Sequence, residues 1–189
     1  GKWKLTFELA SAIAYALIYG GHRVALAIFA ERIHTYSPTG RGQRQFATIL
    51  RHLASYAPPS HGGASLPGLC AKSLSRSVNL ILLSDFLRDD AMVDDLRRLR
   101  AGVSSARAIQ VLARNETAVD ASGPARLYDI ESGVERRLTL SPAAQSAADE
   151  VLRAHGQRLR HVFAVLDMPF STCVAGDDWE SVLAAHLGA

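Results

Sequence analysis

The chain has 189 residues, of which 48% are hydrophobic and 21% are charged. This length and composition suit one globular domain with a buried core, so we expect a single domain over residues 1–189. The formal net charge is +3, from 21 basic and 18 acidic side chains, which is too small and too scattered an excess to indicate nucleic-acid binding. We recognise no signal peptide and no uninterrupted apolar run of membrane-spanning length, which favours a cytoplasmic location.

The cysteines and histidines indicate neither a disulfide framework nor a metal centre. Cys70 and Cys173 lie far apart, each among apolar neighbours, so we expect two buried free thiols. The seven histidines show no metal-ligand spacing.

The first third of the chain predicts a helix, a strand and a second helix. Leucine and isoleucine recur every four residues over 3–19, and Gly20-Gly21 ends this helix. Residues 24–30 then form an apolar strand, and residues 33–36 form a short antiparallel partner. Residues 37–42 have the composition of a loop, whose glycines and Arg41 can cradle an anion at the start of a helix over 43–56. This loop lacks the Lys-Ser/Thr pair of a phosphate-binding P-loop. After a Pro/Gly/Ser-rich loop, we expect a short helix over 68–74.

Residues 77–90 contain the best candidate site. Residues 78–83 are almost unbroken apolar sequence, which is typical of a strand buried on both faces of a parallel sheet. The strand stops at Ser84-Asp85, and ligands in open α/β sheets bind just beyond the carboxyl ends of strands. Asp85 is therefore the leading site residue. The alternative is that Asp85, with Asp89 and Asp90, only caps the next helix, and the residues alone leave both interpretations open.

The rest of the chain continues the alternation. A helix to Gly102 is followed by a strand over 108–113, a hairpin with arms at 126–129 and 135–140, a helix from Ser141-Pro142 to about 166, a strand over 170–174 and a helix over 179–187. This order predicts an α/β fold with a doubly wound, mostly parallel, Rossmann-like sheet and helices on both faces. In such folds the opening helix normally follows a first central strand, which this sequence lacks. Either the fragment is truncated at its amino end or the sheet has an unusual edge.

Five segments, in the right order, resemble a bacterial family. They are the apolar first helix, Gly-Gly-His-Arg-Val at 20–24, the proline–glycine–basic loop at 38–42, Leu-Leu-Ser-Asp-Phe-Leu at 82–87 and Leu-Tyr-Asp-Ile-Glu-Ser-Gly at 127–133. The chain resembles the bacterial domain of unknown function 58 (DUF58), whose core is similar to a von Willebrand factor type A domain. The likeness runs over nearly the whole chain.

This resemblance implies a metal-ion-dependent adhesion site in the intact parent protein. Asp85 matches the aspartate that follows the fourth strand of type A domains, and Thr39 lies in about the loop that supplies their threonine. The family's Asp-x-Ser-x-Ser loop would come just before Gly1 and is not in this sequence. Mg²⁺ needs several oxygen ligands in near-octahedral array, and Asp85 alone does not provide them. We therefore expect this chain to bind metal weakly or not at all.

The resemblance also implies a function without catalysis. Proteins of this family accompany MoxR-type AAA+ ATPases, so we expect a protein–protein interaction domain for the assembly or maturation of other complexes, with a parent chain that can carry a membrane anchor upstream. The sequence contains no Ser/His/Asp set, P-loop or Gly-x-Gly-x-x-Gly fingerprint. Tyr36, Arg41 and Phe86 are candidate contact residues if they flank the Asp85 end of the sheet, although core packing is equally open for Phe86.

Two other interpretations remain open at this point. One is a Rossmann-like, metal-dependent hydrolase that uses Asp85, with Ser84, Arg88 and Asp89 as its only nearby helpers. The other is a subunit that only packs against a larger assembly.

Overall fold

A computed structural model describes residues 1–30, 32–58, 76–87, 92–118, 123–128 and 135–187, with the side chains of 123–128 and 135–140 excepted. The helices are α1 (Lys2–Tyr19), α2 (Gly42–Ser55), α3 (Met92–Gly102), α4 (Pro142–Val165) and α5 (Trp179–Leu187), with a 3₁₀ turn at Arg114–Glu116. The strands are β1 (Val24–Phe29), β2 (Ile33–Gly40), β3 (Asn79–Ser84), β4 (Ser105–Leu112), β5 (Gly123–Tyr128), β6 (Glu135–Leu140) and β7 (Phe170–Val174). None of the described helices has the length and apolar character needed to cross a membrane.

The described strands form three hydrogen-bonded groups. A parallel sheet has the strand order β3-β4-β7, in which Leu82 lies opposite Ala108 and Ala108 opposite Phe170. β1 and β2 form an antiparallel pair, and β5 and β6 form an antiparallel hairpin. The prediction of a mixed α/β fold with a parallel sheet is confirmed, as are the hairpin and the helix that starts at Ser141.

Helices pack on both faces of the parallel sheet because side chains alternate along each strand. On one face, Leu82 and Ala108 lie in a core with α3 and α4, which contribute Leu96 and Phe163 among others. On the other face, Ile109 and Val111 pack with α1 and α5. The strands are apolar on both faces for this reason, as parallel strands usually are.

Helix α1 is shared between the parallel sheet and the β1-β2 pair. Leu5, Leu9 and Ile13, in its first two-thirds, lie in the core with β4 and β7. Ala14 and Ile18, near its end, lie in a third core with Ile28 of β1 and with α2. α1 is about 27 Å long for its 18 residues, and it contacts the parallel sheet with its first two-thirds and the β1-β2 pair with its last third.

The loop predicted over residues 37–42 is wrong, because β2 continues to Gly40. Pro38 is compatible with this strand since β2 pairs only with β1 among the described strands, and proline is tolerated on an edge. The helix predicted over 68–74, Cys70, Asp89-Asp90 and the hairpin turn at 131–133 lie outside the described residues. Cys173 is a buried free thiol, as expected.

Candidate functional site at the carboxyl edge of the parallel sheet

Asp85 occupies the first position after β3, where the chain turns sharply. Phe86, the next residue, has a left-handed backbone conformation with φ 52°, which is uncommon for a residue with a large side chain. Its N–H donates to Oγ of Ser84 at 3.3 Å, and its carbonyl oxygen accepts a hydrogen bond from Nε2 of His155 on α4 at 2.8 Å. The turn is therefore held from two sides, and it places the Asp85 carboxylate at the edge of the sheet with 36% of its side chain exposed.

A buried glutamine joins the ends of the three parallel strands. Gln110 of β4 is 4% exposed, and its Nε2 donates to the backbone carbonyl of Asp85 at 2.9 Å. Its Oε1 accepts from the hydroxyl of Thr172 on β7 at 3.1 Å. A buried side-chain amide needs such partners, because leaving it unpaired costs free energy. These two hydrogen bonds therefore fix the position of Asp85 relative to β4 and β7.

Lys2 bridges two carboxylates at this edge. Its Nζ lies 2.9 Å from Oδ2 of Asp85 and 2.6 Å from Oε1 of Glu116. Glu116 belongs to the 3₁₀ turn that follows β4, and its second oxygen, Oε2, accepts the backbone N–H of Ala113 at 2.8 Å. The first residue of α1 and the residues after β3 and β4 thus meet in one half-exposed ionic cluster, which we call the Lys2 cluster (Lys2, Asp85 and Glu116).

The Lys2 cluster favours the charged form of the lysine. Burial by itself lowers the pKa of Lys2, but the hydrogen bonds and charges of Glu116 and Asp85 outweigh it and raise the pKa above the ordinary 10.5. Lys2 therefore stays an ammonium throughout the physiological range, and its single positive charge is shared between the two carboxylates beside it.

A second charged pair extends the same edge. Nη2 of Arg114, just after β4, lies 3.2 Å from Oδ1 of Asp177, just after β7, and both side chains are largely exposed. Gly176 has φ 101°, and a Cβ added there would lie 3.1 Å from Nη2 of Arg114. The carboxyl edge of the sheet therefore presents charged groups beyond β3, β4 and β7, and we call this surface, including the Lys2 cluster, the charged edge.

The described residues do not fit a Mg²⁺ site. Within the part of the chain that the structure describes, no group of three or more His, Cys, Asp or Glu side chains could hold a metal ion. Asp85 and Glu116 offer carboxylate oxygens, but the ammonium of Lys2 lies between them and contacts both. A hard cation needs about six oxygen ligands, and this pair supplies only a fraction of them.

Thr39 and Arg41 lie at the other end of the domain. Gly40 pairs with Val24, the first residue of β1, which follows the carboxyl end of α1. Lys2, beside Asp85, is at the opposite end of that helix, about 27 Å away along its axis. The structure thus does not bring Thr39 or Arg41 to Asp85. Arg41 is the exposed N-cap residue of α2, and Tyr36 is exposed on β2.

Phe86 is part of the core. It is 2% exposed, and its ring lies 5.1 Å from that of Phe163 and 6.2 Å from that of Phe170, in edge-to-face arrangements. The core interpretation therefore describes its position, and its ring is not available for contact with a partner in this structure.

Sequence reasoning missed Lys2, Gln110 and Glu116. One signal was available for Glu116, because an acidic residue shortly after the strand adjacent to β3 is expected at the same edge as Asp85. No sequence pattern indicated that Lys2, at the start of α1, would reach both carboxylates.

Comparison with known sequences identifies related proteins without an assigned function. The sequence model of a family described as "Protein of unknown function DUF58" matches residues 1–158. Among curated proteins, the chain is similar to "Uncharacterized protein Rv1480" of Mycobacterium tuberculosis and "Uncharacterized protein Mb1516" of Mycobacterium bovis, each 25% identical over 182 residues. The match covers 94% of this chain and 57% of each relative, so the chain spans little more than half the length of the curated relatives it matches.

Two solved structures share the fold. One is the conserved hypothetical protein BatB from Bacteroides thetaiotaomicron, with a TM-score of 0.56 and 11% identity, covering 98% of this chain and 86% of that chain. The other is an aerotolerance-related membrane protein from Bacteroides fragilis, with a TM-score of 0.51 and 14% identity, covering 95% of this chain and 85% of that chain. At these identities the likeness concerns the fold alone.

Proposed function

The chain belongs to the DUF58 family, and from that membership and the geometry at Asp85 we propose that it is a non-enzymatic protein–protein interaction domain that binds its partner through the charged edge. The observation that carries the proposal is the fixed position of Asp85. Its backbone is held by Gln110, the next residue is locked in a left-handed turn, and its carboxylate still has 36% of its side chain exposed. Fixed, partly exposed charges give an interface specificity and a defined register.

The proposal includes a type of fold and a class of partner. We propose that the domain is similar to a von Willebrand factor type A domain and acts with a MoxR-type AAA+ ATPase in the assembly or maturation of other complexes. Family membership supports the partner class through the resemblance described above. Helices on both faces of a parallel sheet, with Asp85 beyond the end of a strand, support the type of fold. We also propose a cytoplasmic location for this domain, whose parent chain can be membrane-anchored.

The chemistry of the Lys2 cluster supports binding over catalysis. A carboxylate that acts as a base needs access to a substrate proton, and a hydrolytic metal needs open coordination positions. Both oxygens of Glu116 have partners, Lys2 and the Ala113 N–H, and the same Lys2 ammonium contacts Asp85. These contacts favour an electrostatic contact surface over the alternative, a hydrolase that uses Asp85.

Pull-down with a purified MoxR-type AAA+ ATPase tests this proposal. We expect Asp85→Asn to weaken capture roughly tenfold, mainly by slowing association, because removing a partly exposed charge at an interface changes the association rate and its salt dependence. Asp167→Asn is the matched control, because Asp167 also has an ion-paired carboxylate, 3.3 Å from Nη2 of Arg100, but lies before β7, at the opposite edge of the sheet. Equal capture by wild type, Asp85→Asn and Asp167→Asn would remove the charged edge from the interface.

Two further arms separate the metal-dependent and enzymatic alternatives. Capture that is lost with a chelator and restored by Mg²⁺ would show that a cation takes part, with ligands beyond the described residues. Turnover of phosphate-ester or carboxylate-ester substrates that disappears in Asp85→Asn would replace the interaction proposal by the hydrolase.

A further inference from the structure

β7 is an edge strand among the described strands, because it pairs with β4 on one side only. The Pro169 carbonyl, just before β7, accepts the N–H of Ala108 at 2.9 Å. Backbone groups alternate along a strand, so the odd-numbered residues of β7 turn their N–H and C=O groups toward β4. The even-numbered residues, Phe170, Thr172 and Val174, turn theirs toward the outer edge.

The outer edge of β7 carries none of the usual features that block further pairing. Exposed edges of natural sheets usually carry charges, prolines or β-bulges. β2, which is also an edge strand among the described residues, contains Pro38 and pairs with β1 in an irregular register. β7 reads Phe-Ser-Thr-Cys-Val and pairs with β4 in unbroken register from Phe170 to Val174. Its outer edge is therefore suited to accept another strand.

The helices on the two faces of β7 pack toward the interior of the sheet. On one face, Phe163 of α4 lies in the core that contains Leu82 of β3. On the other face, Leu183 of α5 packs against the core that contains Leu9 of α1. Four of the five residues of β7 are partly exposed, and only Cys173 is buried. Another strand can therefore approach the outer edge in the plane of the sheet.

The amino end of β7 carries an excess of positive charge. An open groove beside it is lined by Arg160 of α4, by Asp167 and by Phe170, among others. The Asp167 carboxylate is paired with Arg100 at 3.3 Å, so Arg160 adds a further positive charge at this end.

The carboxyl end of β7 carries an excess of negative charge. Asp177 is paired with Arg114 at 3.2 Å. Asp178 and Glu180, at the start of α5, are both exposed and add two further acids. The two ends of this uncharged strand are therefore of opposite sign.

We propose that the occupant of this edge is a second copy of the chain, whose β7 pairs antiparallel with the first about a two-fold axis at Thr172. The positive amino end of each β7 then lies beside the negative carboxyl end of the other, whereas a parallel copy would bring like charges together. A two-fold contact of this kind is closed and gives a dimer, in which the parallel sheets join in the order β3-β4-β7-β7-β4-β3. This inference does not depend on the proposed function.

Thr172 suits the axis because its N–H and C=O both face the outer edge. Two antiparallel residues that face each other in this way exchange both of their hydrogen bonds. On either side of the axis, Phe170 lies opposite Val174 of the second copy, and the Val174 N–H donates to the Phe170 carbonyl. The Val174 carbonyl already accepts the Asp177 N–H at 3.0 Å. Main-chain hydrogen bonds at Thr172 and at both outer pairs would therefore hold the dimer, as in other interfaces formed by strand addition.

Sedimentation equilibrium tests the proposal. We expect wild type to be dimeric at about 100 μM, because even a small specific interface is populated at such a concentration. Arg160→Glu should weaken the dimer roughly tenfold, because it places an acid beside the acidic end of the second copy. Arg153→Glu is the matched control, since Arg153 lies two turns earlier on α4 and pairs with Glu150, and it should dimerise like wild type. A monomer at about 100 μM, or equal weakening by both variants, would overturn the proposal and leave the edge to another protein.

Disulfide trapping tests the position of the axis. Thr172→Cys would place two thiols across the axis with their Cα atoms about 5.5 Å apart, which a disulfide can span. With oxidised glutathione, this variant should form a covalent dimer roughly tenfold faster than Ser55→Cys, because pairing raises the effective concentration of the thiols. Ser55 is the control because it is exposed at the end of α2. A wild-type dimer whose Thr172→Cys variant cross-links no faster than Ser55→Cys would refute the pairing of β7 and place the interface elsewhere.

Discussion

The two ends of α1 differ in how their polar groups are held. At the Lys2 end, contacts join residues that are far apart in sequence: Lys2 reaches Asp85 and Glu116, and Gln110 joins Asp85 to Thr172. At the other end, Gln45 of α2 donates to the carbonyls of Val24 and Pro38, which holds β1, β2 and α2 together. The first arrangement positions charged groups that remain half-exposed, and the second positions backbone. Long-range contacts that end on an accessible charge are what distinguish the candidate site from ordinary structural polarity.

The largest effect is expected inside the core beneath the Asp85 end. Phe86→Ala should lower the free energy of unfolding by about 3–5 kcal/mol, because it removes a fully buried ring that packs against Phe163. A positive φ is unfavourable for alanine as it is for phenylalanine, so the substitution leaves the backbone strain at position 86 nearly unchanged. Urea denaturation measures the change.

The neighbouring residue provides the control for Phe86. Leu87 is 43% exposed, and Leu87→Ala should change the free energy of unfolding by about 0.5 kcal/mol or less. If Phe86→Ala were as mild as Leu87→Ala and instead abolished partner binding, Phe86 would be a contact residue and its core position would be incorrect.

The next effect tests whether Gln110 links the three strands. Gln110→Leu should destabilise the fold by about 1–3 kcal/mol, because it leaves the Asp85 carbonyl and the Thr172 hydroxyl without their partner. Thr172→Val should cost less by itself. If the two residues are hydrogen-bonded, the double variant should cost less than the sum of the single variants in urea denaturation. Strictly additive costs would mean that the hydrogen bond contributes nothing to stability.

Sequence reasoning predicted the elements of this domain better than the contacts between them. The apolar run before Asp85 identified β3 and its edge, because burial on both faces leaves a direct trace in composition. The end of β2 was misplaced because Ser-Pro-Thr-Gly has the composition of a turn, whereas pairing with β1 extends the strand to Gly40. Periodicity also says nothing about which end of a domain a loop lies on, so Thr39 and Asp85 were assigned to one site although α1 separates them.

The Lys2 cluster predicts a specific pH dependence. Because the pKa of Lys2 is raised in the folded state, its contribution to stability is fully present below the ordinary pKa of 10.5 and is lost as pH rises through the higher folded value. Lys2→Met should therefore cost about 1 kcal/mol at pH 8, the upper range for a half-exposed ion pair, and progressively less above pH 10.5. Urea denaturation of the variant and of wild type, at pH 8 and again above pH 10.5, measures how the difference in their free energies of unfolding changes with pH.

Lys4→Met is the matched control for that titration. Lys4 has 78% of its side chain exposed and pairs only loosely, at 3.7 Å, with Glu8 one turn further along α1. We expect this variant to change the free energy of unfolding by no more than about 0.5 kcal/mol. A pH-independent cost for Lys2→Met would assign its effect to the packing of the aliphatic stem instead of to the charge.

The smallest effect is expected at the far end of α1. Thr39 and Arg41 are both exposed, and Thr39→Ala and Arg41→Ala should each change the free energy of unfolding by no more than about 0.5 kcal/mol. Capture of the MoxR-type ATPase should equal that of wild type, because these residues lie about 27 Å along α1 from the Lys2 cluster. Loss of capture in either variant, at the level of Asp85→Asn, would mean that the partner contacts both ends of the domain. The interface would then extend along α1, and the charged edge would be only one part of it.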